Sequence, residues 1–313
     1  MHALVTGAAG FVGRRFCAHL SCQGWDVSGS DVYGTFPAPG CAEWVNCDIT
    51  KRDDVVQLFD QIPPVTHLFH LAAVTFVPDA EKNPKAVTRV NVDGTRRVVE
   101  TLLKFEPSAR LVFISSADIY GPPQFLPIDE THPVQPKNVY ARSKEQAETW
   151  CRGLYDTGKL DLVVMRPFNH TGAGQSDKFV LPSFARQIAR IEAGIQPPVM
   201  QVGNLDAARD FTHVDDVLRA YELVALNANP GETYNVCSGV SVRIGDALDR
   251  LLALSKTRIC VQTDPARVRP TESAQIRGSH QKLSAATGWQ PQIPFDRLLQ
   301  DLLEYWRKQV APR

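Results

Sequence analysis

Tyr140 and Lys144 lie about one helical turn apart in a segment whose pattern predicts a helix, so their side chains should emerge on one face. A phenol in that position can give a proton to a carbonyl oxygen, or take one from an alcohol, while a hydride moves at the carbon. A buried ammonium beside the phenol favours the phenolate, so we expect the pKa of Tyr140 to be lowered. Ser116, at the end of a predicted strand, could hydrogen-bond the same oxygen. These three residues predict oxidation or reduction at a carbonyl carbon.

A glycine-rich segment near the start of the chain has the form of a dinucleotide-binding turn. Gly7, Gly10 and Gly13 follow a predicted strand and open a predicted helix, and Phe11 and Val12 complete the segment. Two residues separate the first pair of glycines, where the GxGxxG pattern has one. Glycines allow a tight turn and a close approach of the pyrophosphate, and the start of the helix supplies N–H groups. The segment therefore predicts pyrophosphate binding.

Acidic residues after the next strands indicate which dinucleotide is bound. Asp31 ends the second predicted strand, where a carboxylate can accept hydrogen bonds from both ribose hydroxyls of the adenosine. The same carboxylate would repel a 2′-phosphate, and no arginine follows closely. Asp48 and Ile49 come after another short run and could meet the adenine amino group. We therefore expect NAD(H) to be preferred, with NADP(H) possible.

Strand and helix patterns alternate over the first half of the chain and predict an α/β protein with a Rossmann-type, doubly wound parallel sheet. The predicted strands are Ala3–Thr6, Asp26–Ser30, Leu68–His70, Leu111–Ser115 and Leu162–Arg166, and the predicted helices are Gly13–Gln23, Lys51–Gln61, Lys85–Phe105 and Val139–Tyr155. Later elements are shorter and punctuated by prolines; the clearest are a helix at Ser183–Ala193, a strand at Thr233–Cys237 and a helix at Phe295–Lys308. We expect a dinucleotide-binding domain over residues 1–170 with a return segment at about 205–240, and a smaller C-terminal, mainly substrate-binding lobe over 171–313.

The overall composition excludes several classes of function. Lysine plus arginine and aspartate plus glutamate both total 34, so the net charge indicates neither a nucleic-acid partner nor an anionic membrane. No apolar stretch approaches the length of a membrane span, and no leader segment precedes the first strand, so a cytoplasmic protein is expected. The seven cysteines include no CxxC pair, and the surroundings of His170 and His213 lack metal-ligand spacing. We therefore expect no disulfide framework and no metal.

The order of the motifs resembles the extended short-chain dehydrogenase/reductase family over nearly the whole chain. The segments that carry the resemblance are residues 6–13, His70–Ala73, Ser115–Gly121, Tyr140–Lys144 and Arg166–Asn169. The resemblance implies that Ser116, Tyr140 and Lys144 form a catalytic triad and that the last two also contact the cofactor. The other residues that it places along the cofactor are Leu71, Ala72 and Ala73 and, near the nicotinamide, Pro167 and Phe168.

Within this family the second half of the chain is similar to GDP-mannose 4,6-dehydratases, and closer still to GDP-6-deoxy-D-mannose reductases. The segments that carry this similarity are residues 166–170, 185–190, 204–211, 234–239, 264–267, 269–272 and 277–280. The similarity implies a GDP-sugar substrate, reduced at its 4-keto group to GDP-D-rhamnose. Such a product would supply an activated deoxysugar for surface glycans such as lipopolysaccharide.

A GDP-sugar carries two phosphates, so the lobe that binds it needs fixed cations. Arg209 and Arg269 are the candidates, because a guanidinium matches phosphate oxygens in a bidentate fork. Glu272 could accept hydrogen bonds from the ribose hydroxyls or the guanine edge, and Asn169 could hold a phosphate or a sugar hydroxyl. The remaining residues predicted to contact the substrate are Phe179 and Val180, against the base, and Arg186, in one of the matched segments.

Other functions are compatible with the same triad. A GDP-mannose 4,6-dehydratase needs an additional base, and that family has glutamate where this chain has the shorter Asp118, preceded by Ala117. Asp118 is therefore kept as a candidate catalytic residue, although the dehydratases commonly carry paired arginines for NADP where this chain has Asp31. A nucleotide-sugar 4-epimerase is a third possibility, and a non-enzymatic nucleotide-sensing protein is disfavoured by the intact triad. Reduction is the preferred interpretation.

The predicted helices at 85–105 and 139–155 carry apolar residues on more than one face. In the family that this chain resembles, such helices pair across a two-fold axis. A homodimer is therefore expected.

Overall fold

The computed structural model describes residues 1–32, 34, 38–267 and 273–311. The strands in chain order are β1 (His2–Thr6), β2 (Asp26–Asp31), β3 (Glu43–Asn46), β4 (His67–His70), β5 (Arg110–Ile114), β6 (Asp161–Pro167), β7 (Asn169–Thr171), β8 (Val199–Val202), β9 (Ala208–His213), β10 (Thr233–Val236), β11 (Ser241–Arg243) and β12 (Cys260–Thr263). The helices are α1 (Phe11–Cys22), α2 (Arg52–Gln61), α3 (Val77–Lys82), α4 (Pro84–Thr88), α5 (Thr95–Phe105), α6 (Val139–Asp156), α7 (Val180–Glu192), α8 (Val214–Asn227), α9 (Ile244–Ala253), α10 (Gln281–Thr287) and α11 (Phe295–Val310). A π-helical turn occupies Arg89–Gly94, and 3₁₀ turns occupy Ala117–Tyr120 and Pro265–Arg267.

Seven of the described strands form one parallel sheet in the order β10-β6-β5-β4-β1-β2-β3. Along β1 the side chains alternate between two apolar layers, because successive residues of a strand point to opposite faces. Ala3 and Val5 pack in the layer of α1 and α8, whereas Leu4 packs in the layer of α2 and α5. Burial on both faces requires helices on both sides of the sheet. The predicted α/β, doubly wound parallel architecture is confirmed.

The order of the strands decides where a ligand can bind. The chain moves outward from β1 through β2 to β3, and then from β4 through β5 and β6 toward the opposite edge. At such a switch point the loops that follow neighbouring strands diverge and leave a crevice at their carboxyl ends. The glycine segment follows β1, Asp31 ends β2, and Ser116 follows β5. The topology therefore brings the predicted cofactor and catalytic residues to one edge of the sheet.

One predicted helix differs from the structure. The segment predicted as a single helix over Lys85–Phe105 consists of α4, the π-helical turn and α5. In the π-helical turn the side chain of Asn91 is buried and bonds to the backbone of Val74 rather than to solvent. Such turns recur where a helix adapts to a functional site. The apolar periodicity predicted the extent of the segment but not this local widening.

The C-terminal part of the chain has a core of its own. Its buried residues come from α7, α9, α11, β8 and β9, and the largest include Leu181, Phe184, Ile188, Leu248 and Leu302. Two small sheets accompany this core among the described residues, β11-β9-β7 and β12-β8. The division of the chain near residue 170 stays a prediction.

The carboxylate of Asp210 on β9 joins separate loops. It is fully buried and accepts hydrogen bonds from the Ser238 hydroxyl at 2.6 Å and from the N–H groups of Ser238, Gly239 and Gly278 at 2.8, 3.0 and 3.1 Å. Burial raises its pKa, while these hydrogen bonds act in the opposite direction. Asp210 therefore holds the loop after β10 and the segment before α10 against β9.

No helix within the described part of the chain combines the length and the apolar character needed to cross a bilayer. The same part of the chain contains no group of three or more His, Cys, Asp or Glu side chains arranged to hold a metal ion. The cysteines are free thiols, and Cys17, Cys47, Cys151 and Cys237 are buried.

Candidate active site

The glycine segment forms a tight turn with no room for side chains. Gly7 has a positive φ of 72°, and a Cβ there would lie 2.7 Å from the backbone nitrogen of Ala72. Gly10 precedes α1 and has no side chain to cap the first N–H groups of the helix. Phe11 and Val12 begin α1 and pack against the core, which fixes the direction of the helix. The residues present therefore fit a pyrophosphate at the start of α1.

At Gly13 the backbone of the helix comes closest to the backbone of the preceding turn. A Cβ on Gly13 would lie 2.1 Å from the carbonyl oxygen of Gly7 and 2.7 Å from the Cα of Ala8. Both are backbone atoms, so Gly13→Ala must displace the turn. We expect the free energy of unfolding to fall by about 1–3 kcal/mol and the affinity for NADH to fall with it. Urea unfolding and a fluorescence titration with NADH measure the two effects.

Gly153→Ala is the matched control for this substitution. Gly153 lies on α6, and a Cβ there would meet nothing within 4 Å. Because alanine favours a helix over glycine, this control should be neutral or slightly stabilising. Equal losses in the two variants would contradict the assigned role of Gly13.

Asp31 lies beside the glycine turn, as its predicted role in ribose binding requires. Its carboxylate oxygens accept hydrogen bonds from the N–H of Ala9 at 3.0 Å and from the N–H of Val32 at 2.7 Å. Each carboxylate oxygen has a second lone pair, so the group can accept further hydrogen bonds. The carboxylate is thus oriented by the turn that would hold the pyrophosphate.

Asp48 and Ile49 follow β3. Burial tends to raise the pKa of Asp48, but hydrogen bonds from the hydroxyl and N–H of Thr50, at 2.7 and 3.0 Å, hold it below its usual range. Ile49 is buried, and its side chain fills the space beside Gly94, where a Cβ would lie 2.7 Å from Ile49 Cδ1. The adenine contacts of both residues stay predictions.

The side chains of Tyr140 and Lys144 emerge together near the start of α6. Asn138 caps this helix, its side-chain oxygen accepting from the N–H of Ala141 at 2.7 Å. Tyr140 is 8% exposed and packs against Ala80 and Val87, whereas Lys144 is 3% exposed with its Nζ 4.8 Å from the centroid of the Phe113 ring. Burial lowers the pKa of Lys144 to about 8, and the negative charge of Glu148 acts in the opposite direction.

The prediction that the pKa of Tyr140 is lowered is wrong when the effects of the protein side chains alone are considered. Burial raises the pKa of this phenol, the negative charge of Asp118 raises it further, and the hydrogen bond with Ser116 lowers it only in part. Desolvation opposes the phenolate more strongly than the surrounding side chains favour it. Tyr140 is therefore protonated at neutral pH, which is the state that a proton donor needs.

Ser116 and Asp118 lie at the carboxyl end of β5, facing Tyr140. Ser116 is buried and caps the 3₁₀ turn that follows it, accepting from the N–H of Asp118 at 3.2 Å. The side chain of Asp118 is exposed, yet its charge acts on Tyr140. The structure thus brings Ser116, Asp118 and Tyr140 together, and Lys144 lies about one helical turn further along α6.

Sequence reasoning missed the role of Asn91. Its side-chain oxygen accepts from the N–H of Val74 at 2.8 Å, and its amide donates to the carbonyl of Val74 at 3.0 Å and to the Ser143 hydroxyl at 2.9 Å. The Ser143 hydroxyl in turn donates to the carbonyl of Tyr140 at 2.7 Å. A signal was available, because Asn91 is four residues after the buried Val87 and so lies on an apolar helix face. Asn91 therefore joins α6 to the segment after β4.

His70 is a second residue whose part in the site was missed. It is fully buried at the end of β4, with Nδ1 2.8 Å from the hydroxyl of Thr6 and Nε2 2.9 Å from that of Thr95. The Thr95 hydroxyl donates to the carbonyl of Asn91 at 2.7 Å, so it must accept from Nε2–H. Burial, with a smaller effect from the charge of Lys144, lowers the pKa of His70 to about 3. The imidazole is therefore neutral in the folded protein.

The neutral state of His70 predicts how stability depends on pH. Its folded pKa lies below the unfolded value of 6.5, so unfolding takes up a proton, and the stability present above pH 6.5 is lost progressively below it. We expect this residue alone to reduce the free energy of unfolding by about 2 kcal/mol between pH 7 and pH 5. Urea titrations at both values measure the change. His70→Gln, which does not titrate, should lose correspondingly less; equal losses in both proteins would contradict the assignment.

The remaining predicted cofactor residues also lie at this edge of the sheet. Leu71, Ala72 and Ala73 follow β4, and the N–H of Leu71 donates to the carbonyl of Thr6 at 3.2 Å. Pro167 ends β6, and the next residue, Phe168, is buried among side chains that include Tyr120, Ile128 and Cys237. Contact of these residues with a cofactor stays a prediction.

The residues predicted to bind the substrate occupy different environments. Asn169 and Val180 are exposed, whereas Phe179 is half-buried and packs edge-on against Phe76 at 5.5 Å between ring centroids. Arg186 forms an ion pair with Asp177. The guanidinium of Arg209 donates to the carbonyls of Ala208 and Ser273, both at 2.8 Å. Arg269 and Glu272 lie outside the described residues.

Comparison with known proteins assigns the family. A family model described as GDP-mannose 4,6 dehydratase matches residues 4–302. The chain belongs to this family. It is 36% identical over 308 residues to the GDP-6-deoxy-D-mannose reductase of Pseudomonas aeruginosa, a match that covers 98% of this chain and 97% of that protein. The resemblance to extended short-chain dehydrogenases/reductases is thereby confirmed.

Solved structures agree with this assignment. The structure of RMD from Pseudomonas aeruginosa, complexed with NADPH, is similar with a TM-score of 0.88 and 35% identity, covering 99% of each chain. The UDP-glucose 4-epimerase of Thermus thermophilus, solved with NAD, has a TM-score of 0.88 at 27% identity, covering 99% of this chain and 100% of that one. Both of these proteins share the fold of this chain, and both were solved with a nicotinamide dinucleotide.

Proposed function

We propose that this protein is an NAD(P)H-dependent reductase that converts the 4-keto group of GDP-4-keto-6-deoxy-D-mannose to the alcohol of GDP-D-rhamnose. The observation that carries the proposal is the buried set of Ser116, Tyr140 and Lys144 in a chain matched from end to end by a GDP-6-deoxy-D-mannose reductase. Such a set provides a proton donor and a hydrogen-bond donor for one carbonyl oxygen.

The side chains have distinct parts in this reaction. When bound, the nicotinamide supplies the hydride that reduces the carbonyl carbon. Tyr140, held protonated by burial, donates its phenolic proton to the carbonyl oxygen as negative charge develops there. Ser116 hydrogen-bonds the same oxygen, and the ammonium of Lys144 favours the phenolate that remains after proton transfer.

The dehydratase alternative depends on Asp118. A dehydratase must remove a proton from the carbon next to the ketone, and Asp118 is an exposed carboxylate at the edge of the site. Its preceding residue, Ala117, has no hydroxyl to assist departure of a leaving group. These features favour reduction, and the epimerase alternative would require a tightly retained dinucleotide.

An assay separates these functions. The purified protein is mixed with NADH and GDP-4-keto-6-deoxymannose, made in place by a dehydratase, and the loss of NADH absorbance is followed. Stoichiometric oxidation, with NMR of the product, would establish the reductase and the configuration at C4. Conversion of GDP-mannose by the protein alone would show that it is a dehydratase. Interconversion of 4-epimers without consumption of NADH would show that it is an epimerase.

The preference for NADH over NADPH is proposed from Asp31. A carboxylate that accepts from the ribose hydroxyls repels a 2′-phosphate, so the wild-type protein should have the higher kcat/KM with NADH. Asp31→Asn removes the charge, retains an acceptor for the N–H of Ala9 and should shift the ratio toward NADPH by about tenfold. Asp26→Asn, at the exposed start of the same strand, is the matched control. An unchanged ratio in Asp31→Asn would show that another residue selects the dinucleotide.

A homodimer formed through faces of α5 and α6 stays a prediction, as do the cytoplasmic location and the supply of a deoxysugar for surface glycans. Arg96 on α5 stacks over the ring of Trp150 on α6, 5.8 Å from its centroid, so these helices present a shared surface. Light scattering after gel filtration would measure the oligomeric state.

A further inference from the structure

A polar cavity of about 420 Å³ lies in the C-terminal part of the chain, beside the first half of α7 and β8. Its lining side chains are charged or polar, among them Asp177, Lys178, Ser183, Arg186 and Arg267. The volume is within the range of pockets that hold small ligands. A wall of this kind suits a ligand whose edge carries several hydrogen-bond donors and acceptors.

A series of side-chain contacts links the rim of the cavity to the apolar cluster around Tyr140. Lys178 lies with its Nζ 5.3 Å from the centroid of the Phe76 ring, and Phe76 packs edge-on against Phe179. The residue after Phe76, Val77, begins α3 and packs in the same apolar cluster as the ring of Tyr140. The start of α3 thus lies between Tyr140 and the cavity, so a substrate extended along it would place its far end toward this cavity.

The cations around the cavity already have carboxylate partners. Arg267 pairs with Asp264 at 3.3 Å, and Lys178 pairs with Asp79 at 2.8 Å. Arg186 pairs with Asp177 at 2.6 Å. Because each cation is neutralised in this way, a diphosphate gains less electrostatic attraction here than it would from cations without such partners. The chemistry of the wall favours the base of a nucleotide over its phosphates.

The pair formed by Asp177 and Arg186 is oriented and accessible. Arg186 Nη1 bonds to Asp177 Oδ2, and the guanidinium carbon lies 5.8 Å from the centroid of the Trp306 ring, within the range of a cation–π contact. The two side chains are 38% and 40% exposed, so a ligand can reach both. The pair places a carboxylate acceptor directly beside guanidinium donors.

We infer that Asp177 and Arg186 read the edge of the guanine base, with Asp177 accepting from N1–H and the 2-amino group and Arg186 donating to O6. This inference rests on the proposed GDP-sugar substrate and names the residues that select its base. Guanine presents two adjacent donors beside an acceptor, which matches a carboxylate beside a guanidinium. Uracil presents a single donor between two acceptors, and adenine presents an acceptor at N1. Neither matches the pair, so Asp177 is the residue that distinguishes guanine.

Calorimetric titration of the full chain with nucleoside diphosphates tests this inference. IDP lacks the 2-amino group and XDP carries an oxygen in its place, so the wild-type protein should bind GDP about tenfold more tightly than IDP, with XDP weaker still. Asp177→Asn should weaken GDP binding by roughly ten- to a hundredfold, abolish the preference over IDP and improve the relative binding of XDP. Asp246→Asn is the matched control, because Asp246 forms a similar exposed ion pair with Arg243 at 3.0 Å away from the cavity.

The outcomes separate this inference from the proposed function. Equal binding of GDP and IDP by the wild-type protein, a comparison that needs no variant, would overturn the inference. The inference would also be overturned if the Asp177→Asn protein ranked GDP, IDP and XDP in the same order as the Asp246→Asn protein. If the wild-type protein still prefers GDP over UDP in either case, the GDP-sugar function would stand, and other residues would recognise the base. A wild-type protein that binds UDP as tightly as GDP would overturn both the inference and the GDP-sugar function.

Discussion

Tyr140→Phe is expected to reduce kcat for NADH oxidation by roughly a hundred- to ten-thousandfold, the contribution typical of general acid catalysis. The substitution removes one oxygen from a ring that packs against Ala80 and Val87, so the fold should be retained. NADH binding should change little, because the glycine turn and Asp31 lie on other elements. We therefore expect the substitution to lower kcat and to leave the affinity for NADH nearly unchanged. Stopped-flow absorbance and a fluorescence titration with NADH measure the two quantities.

Tyr155→Phe is the matched control, since Tyr155 lies on the same helix and its hydroxyl donates to the carbonyl of Pro230 at 3.1 Å. It should retain wild-type kcat. Wild-type turnover by the Tyr140→Phe protein would show that another group donates the proton. Loss of NADH binding in that variant would instead show that Tyr140 acts mainly in holding the cofactor.

Arg166→Met is expected to lower the free energy of unfolding by about 3 kcal/mol, because it removes the buried partner of the Glu148 carboxylate and leaves only the partly exposed Arg152, which donates to Glu148 at 3.2 Å. Arg166 on β6 donates through Nε to Glu148 on α6 at 3.2 Å and through Nη1 to the hydroxyl of Tyr120 at 2.9 Å. Both ionised side chains are nearly inaccessible, at 8% and 4% exposure. Burial tends to raise the pKa of Glu148, but the hydrogen bonds from Arg166 hold it below its usual range. Urea unfolding measures the loss.

The double variant Glu148→Leu, Arg166→Met distinguishes the ion pair from simple packing. It removes both charges, so it should be less destabilised than Arg166→Met alone. Arg243→Met is the control for an exposed pair and should cost less than about 1 kcal/mol, since Arg243 is 45% exposed beside Asp246. If Arg166→Met is no more destabilised than Arg243→Met, the buried pair does not support the position of α6.

The sequence by itself determined the parts of this protein that depend on short spacings. A separation of four residues fixes Tyr140 and Lys144 on one face of any helix, whatever surrounds them. The glycines at 7 and 13 predicted a tight turn because no other residue fits its backbone, and the observed contacts show the same restriction. The alternation of strand and helix patterns predicted the parallel sheet and the edge at which the site lies.

Only the tertiary structure decided how these groups are held and charged. His70 meets Thr6 and Thr95 across 64 and 25 residues of sequence. The first contact is set by the register of β1 against β4 and the second by the packing of α5, and no local pattern specifies either. The pKa of Tyr140 was predicted in the wrong direction because its desolvation depends on which elements cover it, and the sequence does not specify that depth. The joining of Asp177 to Arg186, and of Glu148 to Arg166, likewise required the chain to be folded. Local spacing thus determined which residues could react, and long-range packing determined their protonation and their partners.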